Sequence, residues 1–392
     1  MSLFGNARLL NQPRLDAMME KVGVDLLFVC GAINSKYLSG FFHNGADHDG
    51  TVGARPFTVM YFRDPHIEPA MLVPAVDLHL AQDSSWIKDV RGYIAAEMHT
   101  DQSVPLYQDL FAAAAAVMSD RRLSKLSIGT EGEQLSVAFA SKLISFFDGH
   151  RIVDISRELS LVRMVKTPEE IRRIRRATQI TSNAHASFRS AARPGVTDRD
   201  LYRVAVSSMI DQGAEEAKFV FLGMGPTQYA ANARFQTGYT LKAGDFLRTD
   251  MGASYLGYGA DFVRCYVLGT PTKRQSEVWS YLVDAEIALG QSIRVGQTGD
   301  EIYQRGVHEI EKHLKKFPRE FVGHGIGLIF NEEPRMCKGN TVPIENGTVV
   351  CTELSFYLEE GVRLHIEDMF VVTDSGVEML TNDCPRDLAI PI

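Results

Sequence analysis

The chain has 392 residues, 45% of them hydrophobic and 23% charged, with a formal net charge of −8. That length is ample for a large core spread over two or three domains, and the acidic balance argues against non-specific nucleic-acid binding. No apolar run approaches the ~18–20 residues that span a bilayer, and no apolar stretch precedes a cleavage site near Met1, so neither a membrane nor a secreted setting is expected.

In chain order, Leu15, Met18, Met19 and Val22 mark one face of a first helix, followed by an apolar strand over 24–30. Strands are expected at 57–62 and 70–73, and a helix at 107–118 around a run of alanines. A short strand at 126–128, a helix at 135–147 and a strand at 151–155 complete a small α/β domain over residues 1–160. Gly129-Thr-Glu-Gly132 lacks the spacing and the lysine of a phosphate-binding loop. The polar cluster His43-Asn-Gly-Ala-Asp47-His48-Asp49 reads as a solvated loop. The alternative is a loop that enters an active site, even a neighbouring subunit's, to hold one end of a substrate. The five cysteines, Cys30, Cys265, Cys337, Cys351 and Cys384, are scattered without zinc-ribbon spacing, so free thiols in a reducing cytoplasm are expected.

A boundary is expected over 156–165, opening a second domain at 161–392. Thr167-Pro168-Glu169-Glu170 is a capping box with proline in the first turn. It starts a long helix with Ile171, Ile174, Ala177 and Ile180 inward. The interleaved Arg172, Arg173, Arg175 and Arg176 read as a solvated face and not a nucleic-acid patch. A helix start at Thr197-Asp-Arg-Asp200 leads through 201–211, then a strand at 218–222 and a loop over 231–238. Helices at 278–293 and 301–314 and a hairpin at 362–373 follow.

Two hairpins carry the chemistry. Gly244-Asp-Phe-Leu-Arg-Thr-Asp250 ends a strand in a carboxylate, and Asp261 follows on the next. Gly347-Thr-Val-Val-Cys-Thr-Glu353 repeats the pattern, with Glu367 following, and Gly323-His324-Gly-Ile-Gly327 lies between the two pairs. The similarity extends upstream. Arg193-Pro-Gly-Val-Thr-Asp-Arg-Asp-Leu-Tyr202 aligns with Arg294-Val-Gly-Gln-Thr-Gly-Asp-Glu-Ile-Tyr303, and 219–225 with 321–327, at an offset that drifts only from 101 to 103. Two copies of one unit predict a pseudo-twofold domain, with equivalent positions converging on the axis. Buried acids on apolar strands need cations or donors. Four carboxylates and one imidazole suit two hard-to-borderline divalent metals.

The residues from 165 onward resemble the pita-bread metallopeptidases, a family that includes aminopeptidase P, prolidase, methionine aminopeptidase and creatinase. The match rests on Asp250 and Asp261 eleven residues apart, Gly323-His324-Gly-Ile-Gly327, Glu353, and Ile366-Glu367-Asp368. Asn34-Ser-Lys-Tyr-Leu-Ser-Gly40 and Val165-Lys166-Thr-Pro-Glu-Glu170 are similar to the creatinase and prolidase branch. The resemblance implies an α+β chain with a C-terminal pita-bread fold behind a smaller α/β N-terminal domain. It implies a dinuclear site, with Asp250 on one metal, Asp261 and Glu367 bridging, and His324 and Glu353 on the other. Manganese is typical of the family, with cobalt, iron and zinc as alternatives. A metal-bridging hydroxide would be the nucleophile and Glu353 the proton carrier. Relatives of this branch are commonly dimers, which implies a homodimer.

Three positions depart from the family pattern. Asn331 stands where peptidases carry a second histidine, Asn232 or Ala233 where they carry one in the loop before the first metal strand, and His365 where prolidase-like members have arginine. Asn331, Asn232 and His365 are the candidate substrate contacts, and Asn331 and His365 join Glu353 and His324 as candidate catalytic groups. Asparagine donates a hydrogen bond but transfers no proton near neutral pH. His365 reads either as an orienter bonded behind Glu367 or as a displaced proton donor. His66, His79, His99, His150, His185, His308 and His313 read as structural or exposed. Three functions follow. The first is an Xaa-Pro dipeptidase or aminopeptidase-type hydrolase of short peptides. The second is a small-molecule enzyme, either a creatinase-like C–N hydrolase or a lyase of sulfonium or betaine substrates. The third is a non-catalytic binding module.

Overall fold

The computed structural model describes residues 8–42, 56–95, 105–230, 236–315, 317, 319–358 and 361–392. The His43–Asp49 segment, His99, Asn232 and Ala233 lie outside the described residues. The chain divides into two compact units, Met1–Arg163 and Met164–Ile392.

The first unit runs α1 (Gln12–Val22), β1 (Leu26–Val29), α2 (Ala32–Ser39), β2 (Thr58–Phe62), β3 (Ala70–Pro74), α3 (Leu78–Ser84), β4 (Asp89–Tyr93), α4 (Leu110–Asp120), β5 (Ser127–Thr130), α5 (Val137–Phe146) and β6 (Arg151–Asp154), then α6 (Ser156–Met164). Its six strands form one sheet in the order β4-β3-β2-β1-β5-β6. Every residue of β1, β2 and β3 is buried, which is why these strands read as unbroken apolar runs. α2 escaped the sequence reading because its inward residues include Asn34, Ser35 and Ser39. The buried Glu131 carboxylate organises that turn, accepting hydrogen bonds from the Cys30 and Gly31 amides and from Asn34. The stretch 156–165, where a boundary is expected, is helical from Ser156 through Met164.

The second unit carries the repeat. Its first half is α7 (Pro168–Ala191), α8 (Asp198–Asp211), β7 (Glu216–Met224), β8 (Phe246–Tyr255), β9 (Tyr258–Gly259) and β10 (Phe262–Leu268). Its second half is α9 (Lys273–Ser292), α10 (Gly299–Glu311), β11 (Gly323–Gly325), β12 (Val349–Tyr357), β13 (Arg363–Thr373) and β14 (Gly376–Met379), with β15 (Ala389–Ile390) closing the chain. All four helices start at a threonine capping box, at Thr167, Thr197, Thr272 and Thr298. The box at Thr272 and Gln275 starts α9 at Lys273, ahead of the 278 expected from hydrophobic spacing alone. The sheets are ordered β15-β10-β8-β7 and β11-β12-β13-β14. No described helix is long and apolar enough to cross a membrane.

On α7, Arg172 and Arg175 are solvated as expected, but Arg173 is not. Its side chain is 3% exposed, donates to Glu169 at 2.9 Å and to the Leu256 carbonyl at 3.0 Å, and lies over the Tyr258 ring. Helical spacing turns it toward the sheet, where its fork finds acceptors.

Glu170, the acid of the first capping box, is buried and accepts from the Thr167 amide at 2.8 Å and the Tyr258 hydroxyl at 3.0 Å. Burial pushes its carboxyl up to about 7, although the Thr167 amide and the Lys166 charge favour ionisation. A carboxyl raised by folding holds its proton in the native state, so its contribution is lost as pH rises from the ordinary 4.5 through about 7. Wild type is therefore expected to lose stability between about pH 5 and pH 8 relative to Glu170→Gln, by at most about 3 kcal/mol. Thermal unfolding of both proteins across that range checks it, and parallel curves would reject it.

Candidate metal centre

Asp250 sits on β8 opposite Val263 of β10. A close approach brings Asp261 beside it. A Cβ on Gly252 would lie 1.9 Å from the Ala260 carbonyl oxygen, so only glycine lets the β9 turn fold back onto β8 there. The second hairpin is equivalent, with Glu353 of β12 directly opposite Glu367 of β13. His324 on β11 pairs with Cys351 of β12. A Cβ on the preceding Gly323 would lie 2.1 Å from the Cys351 carbonyl oxygen, which explains the glycine before the histidine.

All five residues expected as ligands converge. His324 Nδ1 lies 3.1 Å from the Gly325 carbonyl and donates to it, which turns Nε2 toward the acids. Nε2 lies 3.8 Å from Asp261 Oδ2, Glu353 Oε1 and Glu367 Oε1 alike. That distance is too long for a hydrogen bond and near the ~3–4 Å that separates donors around one shared ion. Three sets of ligand atoms lie within 4.8 Å of one another: Asp250, Asp261 and Glu367; Glu353, His365 and Glu367; and His324, Cys351 and Glu367. Glu367 belongs to every set, and its Oε1 is buried without a hydrogen-bond partner.

The electrostatics agree with a cation-binding cage. Burial, then the neighbouring Asp250 and Glu353 charges, push the Asp261 carboxyl well above the usual range. Burial and the charges of Asp261, Glu353 and Asp250 do the same to Glu367. Burial raises Asp250 as well, against the pull of Arg248. Buried like charges at this spacing need a positive partner, and an oxygen-rich set with one imidazole fits hard divalent cations.

Glu353 behaves differently. Burial acts to raise it, but the His365 hydrogen bond and the Arg319 charge outweigh that and hold it well below the usual range. Its Oε2 is paired with Arg319 and lies 3.1 Å from His365 Nε2. His365 therefore sits behind Glu353, and not behind Glu367 as one sequence reading had it. Burial and the nearby Arg363 charge keep its ring neutral. Sequence reasoning missed the arginines. Arg248, with no exposed side-chain surface, donates to Asp250 at 2.9 Å and to the Ala230 carbonyl at 3.0 Å. Arg248 precedes Asp250 by two residues and Arg363 precedes Glu367 by four, spacings that share a strand face, so the signal was present. Cys351, on the same face as Glu353, is buried beside His324 and Glu367. Asn331 is exposed, next to the buried ion pair that Glu332 makes with Lys166 at 2.6 Å. Of the histidines set aside as structural or exposed, His185 is buried against Phe262 at 4.8 Å and His313 stacks on Tyr281 at 4.4 Å.

The model of Metallopeptidase family M24 matches residues 172–374, more than half of the chain. The chain belongs to this metallopeptidase family. Within M24 it sits in the branch with an added N-terminal domain, since the Creatinase/Prolidase N-terminal domain model matches residues 12–165. As a family member it is a metallohydrolase of the peptidase type, with the pita-bread fold expected from its motifs. An Xaa-Pro dipeptidase of Lactobacillus helveticus is 25% identical over 97% of this chain and 99% of the relative. Another, from Lactobacillus delbrueckii subsp. lactis, is 24% identical over 98% and 100%. In fold, the X-Pro aminopeptidase of Thermotoga maritima MSB8 superposes with a TM-score of 0.80 at 23% identity, covering 97% of this chain and 99% of that one. The prolidase of Pyrococcus furiosus gives 0.75 at 22% identity, covering 94% and 99%.

Proposed function

We propose that this M24 protein hydrolyses short Xaa-Pro peptides with two divalent cations, manganese foremost. The observation that carries the reading is the convergence of Asp250, Asp261, His324 and Glu353 on Glu367, whose inward oxygen has no hydrogen-bond partner among the described residues. Asp250 and Asp261 would hold one cation and His324 and Glu353 the other, with Glu367 and Asp261 serving both. When bound, the cations supply Lewis acidity and a nucleophile made from water. Glu353 Oε2, kept ionised by Arg319 and His365, takes a proton and returns it to the leaving nitrogen. His365 holds that carboxylate in place and fixes its orientation. The near-complete coverage of relatives named Xaa-Pro dipeptidase supports the substrate class.

Elemental analysis of the purified chain is expected to find about two divalent ions per molecule. The manganese-loaded protein is expected to cleave Ala-Pro. Full metal occupancy with no cleavage across a dipeptide panel would overturn the peptidase reading. One observation favours a second. Asn331, exposed and unable to transfer a proton, replaces a family histidine on the substrate side while the metal ligands are intact. A small-molecule C–N hydrolase or lyase would then turn over a guanidino acid, betaine or sulfonium compound in place of the dipeptide, and silence across that screen rejects it.

A further inference from the structure

The two copies of the repeat diverge at a position on the face that carries the acids. Two residues before its acid, the first hairpin has Arg248 and the second has Cys351. Strand alternation puts both on the same face as the acid that follows. Arg248 answers Asp250 with a fixed positive charge at 2.9 Å. Cys351 brings a free thiol instead. It pairs with His324 across the β11–β12 ladder and with Met369 of β13 on its other side. Cys351 is fully buried, and its Sγ, a ring nitrogen of His324 and a carboxylate oxygen of Glu367 all lie within 4.8 Å of one another.

The hydrogen bonds around this sulfur leave its lone pairs open. Sγ donates its one proton to the Asp261 carbonyl at 3.4 Å. Met369 Sδ, the other sulfur of this layer, is committed, since it accepts from the Asp261 amide at 3.4 Å and from the Thr178 hydroxyl at 3.5 Å. A second, independent feature marks the same point as a ligand position. Glu367, 3% exposed, has a buried oxygen, Oε1, with no hydrogen-bond partner among the described residues, and that oxygen lies 3.8 Å from His324 Nε2.

We propose that Cys351 is a sulfur ligand of the cation that His324 holds, which makes the two cation positions chemically unequal. Asp250, Asp261 and Glu367 offer oxygen alone, a set for a hard ion such as manganese. His324, Cys351 and Glu367 offer nitrogen, sulfur and oxygen, a set that favours zinc, cobalt or cadmium over manganese. On ligation the S–H bond breaks, its proton passes to solvent water, and the electron pair left on sulfur forms the bond to the cation. Nothing is oxidised or reduced. The inference rests on the two-cation reading of this centre and is independent of the substrate.

The test titrates the chelated full chain with cobalt(II) and with cadmium(II), in a Cys337→Ser background that removes the one cysteine not fully buried. A near-ultraviolet sulfur-to-cobalt charge-transfer band is expected, complete once about one ion per chain is bound. Adding Cys351→Ser is expected to abolish the band and to weaken cadmium binding by about 10-fold or more, while manganese binding changes by less than about 3-fold. Serine keeps a donor for the Asp261 carbonyl, so support of Asp261 is not what the substitution removes. Should that variant fail to fold, cadmium NMR of the Cys337→Ser protein carries the test, with a sulfur-ligated shift expected. A shift typical of oxygen and nitrogen ligands alone overturns the proposal. So does cobalt bound without the band, or a band that survives Cys351→Ser, and either result leaves the two-cation reading standing. Equal loss of cadmium and manganese affinity in Cys351→Ser also overturns it, because a thiol that only supports Asp261 would behave that way. Failure to bind any divalent ion overturns both readings.

Discussion

Glu353→Gln is expected to lower kcat/KM for Ala-Pro by about a thousandfold or more. The substitution removes three things at once. The amide carries no proton, it is a poorer ligand for a hard cation, and it brings no negative charge to Arg319, which with His365 faces Oε2. Glu367→Gln separates these effects. Its Oε1 has no donor among the described residues, so in the chelated enzyme the amide relieves charge repulsion with Asp261, Glu353 and Asp250. Chelated Glu367→Gln is therefore expected to melt above chelated wild type, and chelated Glu353→Gln below it, because Arg319 loses its counter-charge. Both variants should lose metal by elemental analysis. If chelated Glu353→Gln melts above wild type, the distinct role given to Glu353 fails; if it retains turnover, so does the proton-carrying role.

How much of this was legible beforehand depended on whether a residue's partners were near it in sequence. The five convergent ligands were readable because the chain states the motif twice, with an acid ending each strand and glycines around His324. The capping boxes were readable because Thr167 and Glu170, or Thr298 and Glu301, lie three residues apart. Arg319 was not, because it comes from the segment before β11 and meets Glu353 across 34 residues. The burial of Arg173 was hidden by its neighbours, since a run of four arginines looks solvated until the sheet beneath the helix is known. α2 lacks an apolar period because Glu131, about a hundred residues away, satisfies its polar start. His365 was flagged as unusual, but only the cross-strand geometry showed that its partner is Glu353.

The last prediction concerns how the two halves of the repeat are held together. Arg264, on β10 of the first half, has no exposed side-chain surface. It donates to the Glu367 carbonyl at 2.8 Å and to Asp368 at 2.7 Å, both on β13 of the second half, and to the Cys384 carbonyl at 3.2 Å. Asp368 also accepts from Thr381 at 2.6 Å and from Arg386 at 2.9 Å. Arg264→Met keeps the volume and removes every one of its bonds, including those to the Val263, Glu367 and Cys384 carbonyls. Because Arg386 still neutralises Asp368, the cost should fall at the low end for a broken buried pair, about 3 kcal/mol. Arg386→Met, at a side chain 15% exposed with Arg264 still in place, should cost less. The carbonyl that Arg264 holds belongs to Glu367 itself, so the same variant is expected to bind manganese more weakly than wild type. Calorimetric unfolding with and without manganese measures both effects. A loss of stability under about 1 kcal/mol would mean that this arginine is not what fixes β13, and with it Glu367, against the first half.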